Sequence, residues 1–177
     1  MKNLWLWQLG GYAFAMVLGT LLHFVLNWTG AVFLAPVSAV NESTWEHMKI
    51  LFFPMLFFAC IQSLYFDYGK ASFWWIKWIG ICIGVFSIPV FFYTFNGAFG
   101  KTPDWLNILF FFLAGGLAYF IEGVLFQKSF TLPLQWIAVV LIVILTTLFI
   151  VFTVFPPLLP LFEDPLTGLY GLQDFAL

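Results

Sequence analysis

Five long apolar runs decide what this chain can fold into. They occupy about 5–27, 48–66, 73–95, 105–126 and 133–155. Each is close to the ~20 residues that a helix needs to cross the ~30 Å hydrocarbon core of a bilayer. Lipid offers no hydrogen bonds, so every backbone N–H and C=O in such a run must be paired within the segment. The expected fold is therefore an all-α, polytopic transmembrane bundle of about five spans, forming one domain over 1–177. Composition excludes the soluble alternative. Charged residues make up 8% of the chain and hydrophobic ones 63%, with a mean hydropathy of +1.04. A soluble domain carries roughly 25% charged residues because its surface faces water.

The segment between the first two runs is more ambiguous. Residues Gly30 to Val40 are apolar but short and broken by Pro36, which reads as an interfacial or re-entrant piece rather than a sixth span. The first run is longer than the apolar core of a secretory signal and no small-residue cleavage site closes it, so it reads as the first span. Lys2, Lys70, Lys77 and Lys128 fall on the side of the N-terminus, and Lys49 and Lys101 on the other. The positive-inside rule then predicts a cytoplasmic N-terminus and an extracytoplasmic tail over 156–177. Trp5, Trp7, Trp74, Trp75, Trp78 and Trp136 gather at the predicted inner interface, and Trp28, Trp45 and Trp105 at the outer one. That distribution suits an indole, which has an apolar body and one N–H.

Helices in lipid associate through close backbone approach and polar contacts. Gly11, Ala15 and Gly19 recur every four residues in the first run, and His23 continues that face. Gly80 and Gly84 mark the third run; Ala114 and Ala118 mark the fourth, with Glu122 next on their face. Pro54 and Pro89 each remove one helical hydrogen bond, and the carbonyls they free are expected to line a cavity. Cys60 and Cys82 lie in apolar runs without disulfide or metal spacing and read as buried small hydrophobes.

Polar residues concentrate on one predicted face. Glu42, Glu46, His47, Lys49, Asp104, Glu163, Asp164 and Asp174 fall there, with His23 about one turn below. Ser43-x-x-Glu46 matches a capping box for the second span, Ser43 capping and Glu46 reaching back to its N–H. That pairing leaves His47, Glu42 and Asn41 unexplained. His23, Glu46 and His47 are the candidate catalytic residues, with Glu42 as the alternative carboxylate. Asn27, Asn41, Glu42, Trp45, Asp164 and Tyr170 are candidate ligand contacts. Imidazoles with carboxylates can coordinate a metal or carry out acid–base chemistry near neutral pH. The chain has no H-x-x-x-H or H-E-x-x-H, so a metal would have to be held by residues from separate helices, and the cofactor stays open. The tail from Phe155 to Gly171 is rich in proline yet also in leucine and aromatics, which predicts either a lid folded across the outer mouth or an interfacial tail lying on the headgroups. Glu122 is an intramembrane acid, either neutral or paired with Lys77 or Lys128.

The Pro36-Val-Ser-Ala-Val-Asn-Glu-Ser-Thr-Trp-Glu-His-Met-Lys49 run and the Asp164-Pro-Leu-Thr-Gly-Leu-Tyr-Gly171 run resemble those of an uncharacterised family of small bacterial integral membrane proteins, a domain of unknown function. The resemblance implies a bacterial cell membrane and carries no activity.

The net charge of -2 and the lack of a basic run exclude nucleic acid as a partner. The expected partner is membrane lipid, and the leading expectation is a lipid or small amphiphile bound in an outer-leaflet cavity. An enzyme acting on a lipid or isoprenoid headgroup through the His/Glu set is the alternative. A small transporter or transporter subunit using Glu122 is the third reading.

Overall fold

The computed structural model describes residues 3–65, 72–101, 103–128 and 132–172. It contains five helices: α1 (Leu4–Thr29), α2 (Thr44–Tyr65), α3 (Phe73–Phe99), α4 (Asp104–Gln127) and α5 (Gln135–Val154). All five are long and apolar enough to cross a membrane. No strand occurs among the described residues, and the one β-bridge joins Glu163 to Tyr170. The fold is thus the all-helical bundle that the hydropathy runs require. Lys2, Lys70 and Asp174 lie outside the described residues.

Two boundaries shift by four residues: α3 runs on to Phe99, and α2 begins four residues before the apolar run. Hydropathy excludes Thr44–His47, but Ser43 Oγ accepts the N–H of Glu46 at 3.3 Å and so caps a helix that starts in polar sequence. Two glycines set ends where a left-handed backbone is required. Gly30 (φ 63°) closes α1 with its N–H on Leu26 O at 2.8 Å. Gly100 (φ 87°) closes α3 on Asn96 O at 3.0 Å.

α1 packs against α2 and α4, α2 against α3, and α3 against α4 and α5. The central helix is α2: 67% of its most apolar window is buried, against 28–39% in the other four. The small residues lie in these seams. A side chain at Gly11 would collide with the rings of Phe58 and Tyr119, and one at Gly84 would press on Ala118. Close backbone approach thus replaces the hydrophobic drive that lipid cannot supply.

The proline in α2 has a specific consequence. Pro54 has no N–H, so the carbonyl of Ile50 one turn earlier loses its helical donor. That oxygen faces Gly19 of α1, where any side chain would strike it. The freed carbonyl is therefore covered by a glycine backbone instead of lining a cavity.

The connection from Gly30 to Ser43 forms a single 3-10 turn at Val32–Leu34 and then folds back, with Ala39 N–H on Leu22 O at 3.1 Å. It is an ordered cap on the end of the bundle, not a span. The tail packs on the same end. Trp45 N–H reaches Leu161 O at 3.0 Å, and the Trp45 ring lies against Phe149 at 4.5 Å and Phe162 at 4.7 Å. Trp45 is therefore a buried anchor for the tail rather than part of an interfacial belt. The turn over 164–169 closes through Asp164, whose Oδ1 accepts Leu166 N–H at 2.7 Å and whose carbonyl accepts Gly168 N–H at 2.8 Å.

Candidate metal centre

Two buried anchors shape the cap that carries Glu42. Glu46 and Lys49, three residues apart on α2, form an ion pair of 2.5 Å inside the protein. Glu46 Oε2 also accepts the N–H of Val40 at 3.0 Å, while Lys49 Nζ donates to Ala35 O at 2.9 Å and to Thr153 Oγ1 at 2.7 Å. One ion pair therefore ties the 30–43 connection and α5 to α2. Glu46 reaches back past Ser43 to Val40, and the N–H of Ser43 is taken instead by Asn41 Oδ1 at 3.0 Å. Only half of the expected capping box forms.

With Glu46 committed to Lys49, the carboxylate that meets the histidines is Glu42. Its Oε2 lies 3.4 Å from His23 Nε2 and 3.8 Å from His47 Nε2, and the two imidazole centroids are 5.3 Å apart. One ligand atom from each of the three residues falls within 4.8 Å of the others. The Glu42 side chain is 39% exposed and the histidines 19%, so the trio opens toward the surface of this end. Contact with His23 holds the Glu42 carboxyl below its usual value; partial burial opposes this and the charges of both histidines add to it.

The ring of His47 has a defined orientation. Its Nδ1 lies 2.9 Å from the carbonyl of Ser43, and only an N–H is tolerated there. In the neutral ring the lone pair is then on Nε2, facing the Glu42 oxygen. A lone pair facing a carboxylate is repulsive unless a positive charge, a proton or a cation, lies between them. His23 Nδ1 is buried and has no partner among the described residues.

The distances admit coordination as well as a long hydrogen bond. N–H···O bonds cluster at about 2.7–3.2 Å; His23–Glu42 lies just beyond that range at 3.4 Å and His47–Glu42 further out at 3.8 Å. In a tetrahedral centre with metal–ligand bonds of ~2.0 Å, neighbouring ligand atoms are ~3.3 Å apart. The His23–Glu42 separation matches such an edge and the His47–Glu42 separation is slightly longer. The residues fit a borderline divalent cation, and two imidazoles with one carboxylate leave a fourth position open.

The other candidates from the sequence fall outside the trio. Asn27 is exposed beyond His23 on α1. Asn41 is buried and serves the backbone, donating to Gly171 O at 3.5 Å. Asp164 is buried in its turn, close enough to His47 to act on it electrostatically. Tyr170 donates its hydroxyl to Glu163 at 3.1 Å. Glu122 lies near the opposite end of the bundle, paired with Lys77 at 2.5 Å. The choice of Glu42 over Glu46 had one signal in the sequence: Glu and Lys at i, i+3 on a helix pair with one another.

Residues 1–172 match the model of a protein family described only as a family of unknown function. No curated protein and no solved structure matches the chain.

Proposed function

Since the chain belongs to DUF6512, a family of unknown function, we propose from its own residues that it is a membrane-embedded metalloprotein. One divalent cation is held by His23, Glu42 and His47, and the centre acts on the headgroup of a lipid or similar amphiphile. The observation that carries this reading is the Nε2 lone pair of His47, oriented by Ser43 O toward the carboxylate oxygen of Glu42. Three protein ligands with an open position is the arrangement of catalytic rather than structural zinc sites. A cation bound there supplies Lewis acidity and lowers the pKa of a coordinated water. The substrate class follows from position: the trio lies at the end of the bundle beside an exposed aromatic pair, Phe24 and Trp28, stacked at 5.6 Å. Such a pair suits the acyl–headgroup boundary. By the lysine distribution this end is extracytoplasmic, and the proposed location is a bacterial cell membrane. Transport has less support, because Glu122 is already held by Lys77.

Elemental analysis and zinc or manganese titration of the purified protein test the reading. About one equivalent of metal is expected, lost or weakened by 100-fold or more in His23→Ala and in His47→Ala and retained in Asn27→Ala. Wild-type protein that stays metal-free across the titration would end the proposal. With metal bound, cleavage of ester or phosphoester amphiphiles that is abolished by Glu42→Gln would support the enzyme over a binding role.

A further inference from the structure

A second polar cluster is buried at the opposite end of the bundle, and four helices contribute to it: Gln8 from α1, Gln62 from α2, Lys77 from α3, Tyr119 and Glu122 from α4. Its protons are ordered by the carboxylate. Glu122 Oε2 receives Lys77 Nζ at 2.5 Å and Gln8 Nε2 at 3.3 Å; Gln8 Nε2 also donates to Tyr119 O at 3.2 Å. Gln8 Oε1 then accepts Gln62 Nε2 at 3.4 Å. Reversing the Gln8 amide would place its oxygen against the carboxylate, and reversing Gln62 would set two amide oxygens together. Glu122 thereby fixes both orientations, through one amide to the next.

Two polar atoms are left over. Gln62 Oε1 and the Tyr119 hydroxyl are both buried without a hydrogen-bond partner among the described residues. Lipid gives neither atom an alternative, and each costs about 1–3 kcal/mol while unpaired, which a small bound molecule would recover. An anion is repelled by the Gln62 oxygen and by Glu122. A cation would be drawn by those two groups, but the Glu122 charge is already neutralised by Lys77, so no net charge remains to hold an ion. What remains is a small neutral molecule that both donates and accepts.

We propose that this cluster is an internal water-binding site. Water donates to Gln62 Oε1 and bonds the Tyr119 hydroxyl, completing a polar network that joins α1, α2, α3 and α4. The site is independent of the His23–Glu42–His47 centre, ~22 Å away along α1 by helical rise from residue 8 to residue 23, and of any activity there.

The deciding measurement is an experimental density map of the wild-type protein at a resolution that shows ordered water. Density within ~2.6–3.2 Å of Gln62 Oε1 is expected; an empty site overturns the proposal. Thermal melting in detergent supplies a second readout in which the sign discriminates. Removing a water-bonded hydroxyl in Tyr119→Phe should lower Tm by roughly 2–6 °C. Removing a hydroxyl that truly lacks a partner should raise it, and a raised Tm overturns the proposal. If water is shared between the two groups, Tyr119→Phe and Gln62→Met combine less than additively; strict additivity counts against a shared site.

Discussion

The two ends of the bundle hold the same kinds of side chain under opposite rules. At the Lys77 end, Lys77 and Glu122 lie on helices, fully enclosed, with a contact of 2.5 Å. At the His23 end, one member of the trio lies on a connection and two on helices, partly exposed, with separations of 3.4 and 3.8 Å. The closed pair satisfies its own charge and leaves none to hold an added ion. The open trio brings a carboxylate and two imidazoles together near the surface without a close ion pair, an arrangement that could hold a cation between them. A buried charge must find a partner or raise the energy of the fold. A group near the surface can remain available for chemistry.

This contrast predicts effects that differ in kind. The largest is at the closed pair. Lys77→Met alone or Glu122→Leu alone leaves one uncompensated buried charge and should cost about 3–5 kcal/mol, read as a collapse of Tm in detergent. The double variant Lys77→Met with Glu122→Leu should recover much of that loss. Recovery no better than the sum of the singles would show that the two groups do not act as a pair.

Next comes the anchor that links the regions. Lys49→Met removes the partner of buried Glu46 and releases Ala35 O and Thr153, for a loss of about 3 kcal/mol or more. Its distinguishing sign is faster hydrogen exchange over 30–43, with weaker metal binding as Glu42 loses its support. Unchanged exchange there would uncouple the anchor from the trio.

At the open trio, Glu42→Gln should leave Tm within a few degrees of wild type while reducing metal affinity 10-fold or more, measured by titration. A large loss of stability would instead place Glu42 with the structural carboxylates.

The smallest effects test the seams. Gly19→Val drives a side chain into Ile50 O and should cost about 1–3 kcal/mol, whereas Gly10→Ala meets nothing within 4 Å and should be neutral or stabilising by about 0.5–1 kcal/mol. Paired thermal melts of these two variants check both. If Gly19→Val is tolerated, the carbonyl freed by Pro54 is not sealed by α1.

Legibility differed between these regions for a physical reason. Glu122 was visible as an intramembrane acid with two possible lysine partners, and the bundle selects Lys77, because α3 and α4 pack with Gly80 against the Glu122 side chain. At the other end both histidines and both acids were visible, but the Glu46–Lys49 spacing was the sequence's one signal for ranking Glu42 above Glu46 and did not settle it. That ranking depends on Lys49 turning inward to Ala35 O and Thr153, contacts 14 and 104 residues distant along the chain.

The sequence alone determined the number of helices, their kind and the seams between them. These follow from backbone hydrogen bonding in lipid and from where a side chain is too large, both of which are local properties of each run. Only the tertiary structure decided which polar groups meet. Charge pairing in a low-dielectric interior depends on distances across helices, and a shift of one turn exchanges one partner for another.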